Sequence, residues 1–235
     1  MREIIDPHTH VLPKMDDGSR GTVMSIEMLK RMKAMGITVV CGTSHYYRRD
    51  ESIREFCERR EAALDRLSEV LTDDLPRVIP GSEVAFFHGI SEEEDLEMLC
   101  YEGTRTLLLE MPFTDWTSSN VDEVRSLVLD RRLNLILAHP ERFLFSKSNK
   151  EYLRRLAEMN IYFQVNGENF TSFFTRKEGL EILKMTPRRL LGSDAHNTEK
   201  RPPNLDAARS YVSRKMGAEE LERIDEAACR LILGT

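Results

Sequence analysis

The sequence predicts an α/β protein whose parallel strands close into a (β/α) barrel. Three observations carry that expectation. Apolar, strand-like runs alternate with amphipathic helical stretches from end to end. Five of the six histidines, together with four acids, stand where those runs stop. A chain of 235 residues suits one large α/β domain better than two small ones. Strand–helix alternation calls for a parallel sheet wound by right-handed crossovers. Such a sheet can lie open or close, but residues from every strand's carboxyl end converge only if those ends circle one axis.

In chain order, the strand candidates span 3–7, 37–43, 77–82, 105–110, 134–138, 161–165 and 189–193. Helices are predicted near 20–35, 50–71, 91–101, 119–132, 149–159, 177–184 and 204–216, followed by a C-terminal helical tail. Met24, Met28, Leu29 and Met32 recur at helical spacing, as do Leu153, Leu156 and Met159. Gly36 stands where a glycine ends a helix. No repeat, low-complexity tract or linker divides the chain, so residues 1–235 are expected to form a single domain. The longer connections, 111–119, 166–177 and 197–204, belong on the rim that carries the histidines and acids.

Composition removes several function classes. A net charge of −6 argues against binding nucleic acid by neutralising its phosphates. No apolar run reaches the roughly 18 residues of a membrane span, and MREIIDPHTH lacks the basic and apolar regions of a signal peptide. A cytoplasmic address is the expectation. Cys41, Cys57, Cys100 and Cys229 are widely spaced and form no CxxC pair, so they read as thiols rather than a disulfide framework.

The chemistry lies in what the runs end on. IIDPHTH brings His8 and His10, TVVCGTSH His45, RVIPGSE Glu83, TLLLE Glu110, LILAHPER His139, and LLGSDAH Asp194 and His196, while the turn DDG adds Asp17. Two residues apart on a strand, His8 and His10 point to one face. Any one of these residues is more simply a satisfied polar side chain; six of seven strand ends bearing ligand chemistry are not. Imidazole mixed with carboxylate suits Zn, Fe, Mn or Ni better than Mg or Ca. The absence of a thiolate pair argues against a closed structural zinc. Against the four carboxylates, three divalent ions would leave a positive centre that favours a phosphate group, whereas two would leave it about neutral. Arg142, just after His139, and Arg201, in the loop leaving His196, can bring planar donors to phosphate oxygens. Arg48 and Arg49 read equally well as a solvated patch, and His88 as an ordinary loop residue. Tyr46, Tyr47, Trp116, Phe170, Phe173 and Phe174 crowd the rim, with ring binding, packing or protein contact all open to them.

Together, the motifs DPHTH, DDGS, TSH, GSE, AHPER and SDAHN…RPP resemble those of the PHP (polymerase and histidinol phosphatase) superfamily. They are most similar to its bacterial tyrosine-protein phosphatases of capsular and exopolysaccharide gene clusters, in order from Asp6 to Pro203. The resemblance implies a distorted seven-stranded (β/α) barrel with three metal ions, Mn first and Fe or Zn as alternatives. It implies a partner that carries phosphotyrosine, the tail of a bacterial tyrosine kinase. By matching position, His8, His10, Asp17, His45, Glu83, Glu110, His139, Asp194 and His196 become the ligands, and Arg142 and Arg201 the phosphate contacts. Tyr46-Tyr47 after His45 departs from the pattern and weakens any direct role for Arg48 or Arg49. Asp16 competes with Asp17 as the ligand.

The expected reaction is in-line attack on phosphorus by a hydroxide bridging two metals. A cysteine mechanism is excluded by sequence, because the residues six past the four cysteines are Tyr47, Ala63, Thr106 and Thr235 where an arginine is needed. Competing expectations are a PHP-type phosphatase of a small phosphomonoester (histidinol phosphate-like or a nucleotide) and a metal-loaded module that only binds a kinase tail. A metal-dependent amidohydrolase fits less well, since Glu110 stands where that class often carries a modified lysine. Self-association is left open.

Overall fold

In the computed structural model, which describes residues 3–235, every strand pairing is parallel. The strands are β1 (Ile5–Thr9), β2 (Val39–Gly42), β3 (His45–Tyr46), β4 (Arg77–Pro80), β5 (Glu83–Ala85), β6 (Thr106–Glu110), β7 (Asn134–Ala138), β8 (Ile161–Asn166) and β9 (Arg189–Gly192). The α-helices among the described residues are α1 (Thr22–Ala34), α2 (Ile53–Ser68), α3 (Ser118–Leu129), α4 (Lys147–Ala157), α5 (Arg176–Met185), α6 (Leu205–Met216) and α7 (Ala218–Leu233). One sheet has the order β1-β2-β4 and the other β3-β5-β6-β7-β8-β9. The fold is thus mixed α/β with parallel sheets, as the alternation predicts.

Seven strands in one sheet are expected from the sequence, and nine in two sheets are found. Two predicted runs are broken: 37–43 continues past Thr43-Ser44 into β3, and 77–82 past Gly81-Ser82 into β5. At these breaks the backbone bonds reach across, Thr43 N–H to Thr9 O at 2.7 Å and Gly81 N–H to Gly42 O at 2.9 Å. A Cβ on Gly81 would lie 2.8 Å from the Tyr101 ring, so only glycine lets the chain pass there. The two kinks carry His45 and Glu83 into the second sheet, side by side as register partners. At the other edge, Asp194 N–H donates to His8 O and His10 N–H to Ala195 O, both at 2.8 Å, joining β1 to the segment after β9.

The first strand is less regular than its spacing suggests. Its register slips between Asp6 and Thr9, which pair with Val40 and Gly42. One extra residue is therefore accommodated around Pro7, which has no N–H to give the ladder. His10 lies just past the strand end.

Side chains alternate across the sheets. Val39, Cys41, Leu108, Ile136 and Leu190 join Ala227, Ala228, Leu231 and Ile232 of α7 in one apolar cluster. Their neighbours Val40, Leu107, Leu109, Leu135, Leu137 and Leu191 face the other way, into the larger cluster with the helices. α7 packs at the amino ends of the strands, where Thr106 Oγ1 donates to Leu231 O at 2.8 Å. The carboxyl ends are left to the polar residues.

Local signals account for several helix ends. Ser52 and Glu55 form a capping box on α2, Thr117 and Asn120 one on α3, and Ser146 caps α4. Gly36, at φ 83°, ends α1 as expected. The predicted helix at 91–101 is a correction: two 3-10 turns, Ile90–Glu92 and Leu96–Leu99, replace it. Arg131 reaches in and donates to the carbonyls of Ser91 and Glu93 at 3.2 and 2.8 Å. Carbonyls taken by a side chain are lost to a helical ladder. No helix among the described residues is long and apolar enough to cross a membrane.

Candidate metal centre

The kinked strands deliver their terminal side chains to one buried place. His8 Nε2 and His10 Nε2 face each other at 3.4 Å. Glu83 Oε2 lies 3.2 Å from the first and 3.3 Å from the second, and Asp194 Oδ1 3.5 and 3.4 Å from them. His45 Nδ1 approaches Glu83 Oε2 at 3.0 Å. His139 Nε2 sits 2.8 Å from Glu83 Oε1 and 3.4 Å from Glu110 Oε1. Asp17 Oδ1 reaches His196 Nε2 at 3.3 Å and His45 Nε2 at 3.6 Å. All nine residues expected from the sequence are therefore brought together: eight in overlapping groups, His8, His10, Glu83 and Asp194; His10, Asp17, His45 and His196; His45, Glu83 and Glu110, and His139 beside Glu83 and Glu110.

Whether this donor set fits a cation can be argued from its protons. Gln164 Oε1 lies 2.7 Å from His8 Nδ1, and Asp16 Oδ2 lies 2.6 Å from His10 Nδ1. Both partners are acceptors, so both Nδ1 atoms carry the hydrogen, and in the neutral imidazoles that bind metal both Nε2 atoms present bare lone pairs. Two such lone pairs converge with Glu83 Oε2 and Asp194 Oδ1, buried oxygens that accept no hydrogen bond. Acceptors without donors repel one another in a dry site unless positive charge joins them. The set fits a divalent ion with mixed nitrogen and oxygen ligands.

The ionisation of the cluster follows the same logic. Burial pushes the Glu83 carboxyl up, but the charges of His8 and His45, together with the His10 and His139 rings beside it, hold it well below the usual range. Asp194 behaves likewise, burial being outweighed by His8 and His10. Burial works against a charged imidazole at His8 and His10, yet the carboxylates around them prevail and raise both. At His139 burial wins and lowers it; at His196 burial and the charge of His10 push it down to about 3. Burial and the neighbouring Glu83 raise Glu110 to about 7. Without a cation the cluster thus draws protons onto the His8–His10 side, the positive charge that a divalent ion would supply instead, while His139 and His196 stay neutral.

Backbone geometry is constrained at the same place. His139 and Asp194 adopt φ of 31° and 53°, left-handed values that side chains rarely take. Gly18 lets the DDGS turn lie against the first histidine strand, since a Cβ there would come 2.4 Å from His10 Cβ.

Arg142 and Arg201 stand at the edge as expected. Each donates from Nη2 to Asp194 Oδ2, at 2.6 and 2.7 Å, which sets two guanidiniums side by side. Arg48 instead pairs with Glu93 at 3.1 Å, and His88, exposed, with Glu123 at 3.1 Å. Asp16, the rival of Asp17, is turned onto His10 Nδ1 and the His45 N–H at 2.8 Å. Of the rim aromatics, Tyr46, Trp116 and Phe170 are buried in the core, Tyr47 is half-buried, and Phe173 and Phe174 are exposed.

Gln164 and Asn166 escape the sequence reading. Asn166 Nδ2 donates to Asp194 Oδ2 at 2.7 Å and Gln164 Nε2 to Asn166 Oδ1 at 2.9 Å, so β8 holds both His8 and Asp194 in place. The signal was two polar residues, two apart, inside the apolar run IYFQVN.

Comparison with known proteins agrees with this architecture. Tyrosine-protein phosphatase YwqE of Bacillus subtilis is 28% identical over 226 residues, 92% of this chain and 86% of the relative. Tyrosine-protein phosphatase CpsB of Streptococcus pneumoniae is 26% identical over 239 residues, 94% of each chain. A crystal structure from the study of YwqE and CpsB, described as unique metal-dependent tyrosine phosphatases, superposes with a TM-score of 0.83 at 24% identity, over 99% of this chain and 95% of the other. An amidohydrolase from Bifidobacterium longum subsp. infantis shares the fold more loosely, with a TM-score of 0.58 and 14% identity over 99% of both chains. The profile of the family described as capsular polysaccharide synthesis, CpsB/CapC, matches residues 4–233, and the chain belongs to that family.

Proposed function

We propose that the chain is a cytoplasmic, metal-dependent protein-tyrosine phosphatase. Its partner is a phosphotyrosine protein, a bacterial tyrosine kinase of capsule or exopolysaccharide synthesis. Residues 1–235 work as one PHP-type domain, with the two sheets acting as a distorted seven-stranded barrel. The observation that carries this reading is the convergence of two imidazole nitrogens, His8 Nε2 and His10 Nε2, with two buried carboxylate oxygens, Glu83 Oε2 and Asp194 Oδ1, beside two arginines. Kinship with relatives named tyrosine-protein phosphatases supports the substrate class.

His8, His10, Glu83 and Asp194 would hold one divalent ion, and His10, Asp17, His45 and His196 a second. His45, Glu83 and Glu110, with His139 at their side, would hold a third. Manganese is the expected metal, with iron or zinc as alternatives. Such ions supply Lewis acidity, making a nucleophile of water at neutral pH and neutralising phosphoryl charge.

The chain's own groups do the rest. Gln164 and Asp16 fix the tautomers of His8 and His10. Arg142 and Arg201, already gathered on one carboxylate oxygen, turn their remaining N–H groups to the non-bridging phosphoryl oxygens as charge builds there. A tyrosine leaving group has a pKa of about 10 and needs little proton donation. Thiol chemistry has no place, since burial pushes Cys41 and Cys57 up, and Cys100 up to about 12.

The test is turnover of a phosphotyrosine peptide by the purified chain before chelation, after it, and after reconstitution with manganese. Activity should vanish and return, survive replacement of all four cysteines, and exceed that on histidinol phosphate or a nucleotide. Full turnover by metal-stripped protein would overturn the proposal.

A further inference from the structure

Three cavities border the centre, and their linings differ in charge and polarity. One, of about 410 Å³, is walled by Asp16, Asp17, Asp50 and Glu51 against a single arginine, Arg59. Another, of about 350 Å³, carries Glu141, Glu168 and Glu178 beside Arg142. Both linings are mainly acidic and carry no cluster of aromatic side chains. The third, of about 330 Å³, holds Tyr47, Phe86, Phe87 and Phe113, two arginines, Arg48 and Arg49, and only Glu110 as an acid. Its apolar walls suit an aromatic group, while Arg48 and Arg49 pair with Glu93 and Asp50 at 3.1 and 3.4 Å and leave the rim close to neutral.

The walls are set by the centre itself. The Tyr47 ring stacks on His45, centroids 5.4 Å apart and planes at 27°. The Phe113 ring stacks on His139 at 6.4 Å and 25°. Those two histidines reach the same Glu83 carboxylate, at 3.0 and 2.8 Å. The aromatic rings therefore line one cavity with Glu110, each held nearly parallel to an imidazole of the cluster. Phe113 is 55% exposed, although Phe143 lies only 5.0 Å away to pack against. With Tyr47, Phe86 and Phe87 around the same cavity, Phe113 forms a contiguous apolar patch beside a polar centre, the kind of surface that takes a partner.

We propose that the cleft between Tyr47 and Phe113 is the subsite for the substrate's aromatic ring. These two side chains then make the enzyme selective for aryl over alkyl phosphate esters. The inference rests on the phosphotyrosine reading above and adds to it the residues that recognise the ring. It also explains the Tyr46-Tyr47 departure from the motif: Tyr46 fills the core against Phe56, and Tyr47 lines the cleft.

Calorimetric titration of the metal-loaded chain with phenylphosphonate and methylphosphonate reads the subsite without turnover. The phenyl compound should bind about tenfold tighter or more, the size expected from burying one ring. Phe113→Ala and Tyr47→Ala should each cut that preference by about three- to tenfold, the worth of an aromatic pair, and Phe113→Trp should restore it. Parallel kcat/KM values for a phosphotyrosine peptide should fall by a similar factor in the alanine variants. A phenyl preference that survives both alanine substitutions within twofold, or is absent from the unmodified chain, overturns the subsite. If the unmodified chain hydrolyses no phosphotyrosine yet keeps the phenyl preference, the ring subsite stands and the phosphotyrosine reading falls.

Discussion

The two ends of the strands are built on opposite principles. At the amino ends, α7 lays Ala227, Ala228, Leu231 and Ile232 into the apolar cluster with Ile5, Val39, Leu108 and Ile136. At the carboxyl ends, the same strands finish in buried imidazoles and carboxylates, with Glu83 Oε2, Asp194 Oδ1, His45 Nδ1, His139 Nδ1 and His196 Nε2 lacking hydrogen-bond partners. Left-handed backbone at His139 and Asp194 adds a cost of about 1–3 kcal/mol each. The amino end holds the fold together and the carboxyl end leans on that stability. A strained, donor-poor cluster persists only where the surrounding frame leaves it no relaxed alternative.

The sharpest way to break this contrast is at Leu231. Leu231→Ala should lower unfolding free energy by about 2–5 kcal/mol, the usual result of emptying a buried leucine site. Denaturant titration measures this, and kcat of the remaining folded protein should be unchanged. A large drop in kcat at intact stability would mean that the two ends are coupled rather than complementary.

Arg142→Ala addresses the other end. It should reduce kcat toward a phosphotyrosine peptide by about 10²–10³, the effect of removing one donor aimed at developing charge. The melting temperature should move less than in Leu231→Ala, because Arg201 and Asn166 still hold Asp194 Oδ2. A loss of stability without loss of turnover would reverse the roles assigned to the two ends.

The contrast also explains what could be read from sequence. Strand-end histidines and acids are visible because a barrel-like fold gathers what each strand ends on, whatever the exact pairing. The two broken strands are not visible, because their kinks depend on Gly81 passing under Tyr101 and on backbone bonds to a distant β1. The missing helix at 91–101 has the same origin, since Arg131 is remote in sequence from the carbonyls it takes. Gln164 and Asn166 lie between these cases: their alternation is local, but their partners His8 and Asp194 are known only from the fold.

Glu141 offers the finest test, since it is buried beside the centre without lining the metal cluster. Its Oε1 accepts from Asn166 N–H at 2.9 Å and Asn169 Nδ2 at 2.6 Å, while Oε2 has no partner. Burial pushes its carboxyl from 4.5 up to about 7. Unfolded, the group releases its proton near pH 4.5; folded, it keeps it until about 7. Across that window the native state binds more protons, so stability falls as pH rises and levels off above it. Glu141→Gln keeps the Oε1 acceptor and removes the charge. Its melting temperature relative to the unmodified chain should therefore climb between pH 5 and pH 8 by a few degrees, roughly what 1 kcal/mol yields at this chain length. A difference independent of pH would show that Glu141 ionises freely, and that the strain of the carboxyl end stops at the metal cluster itself.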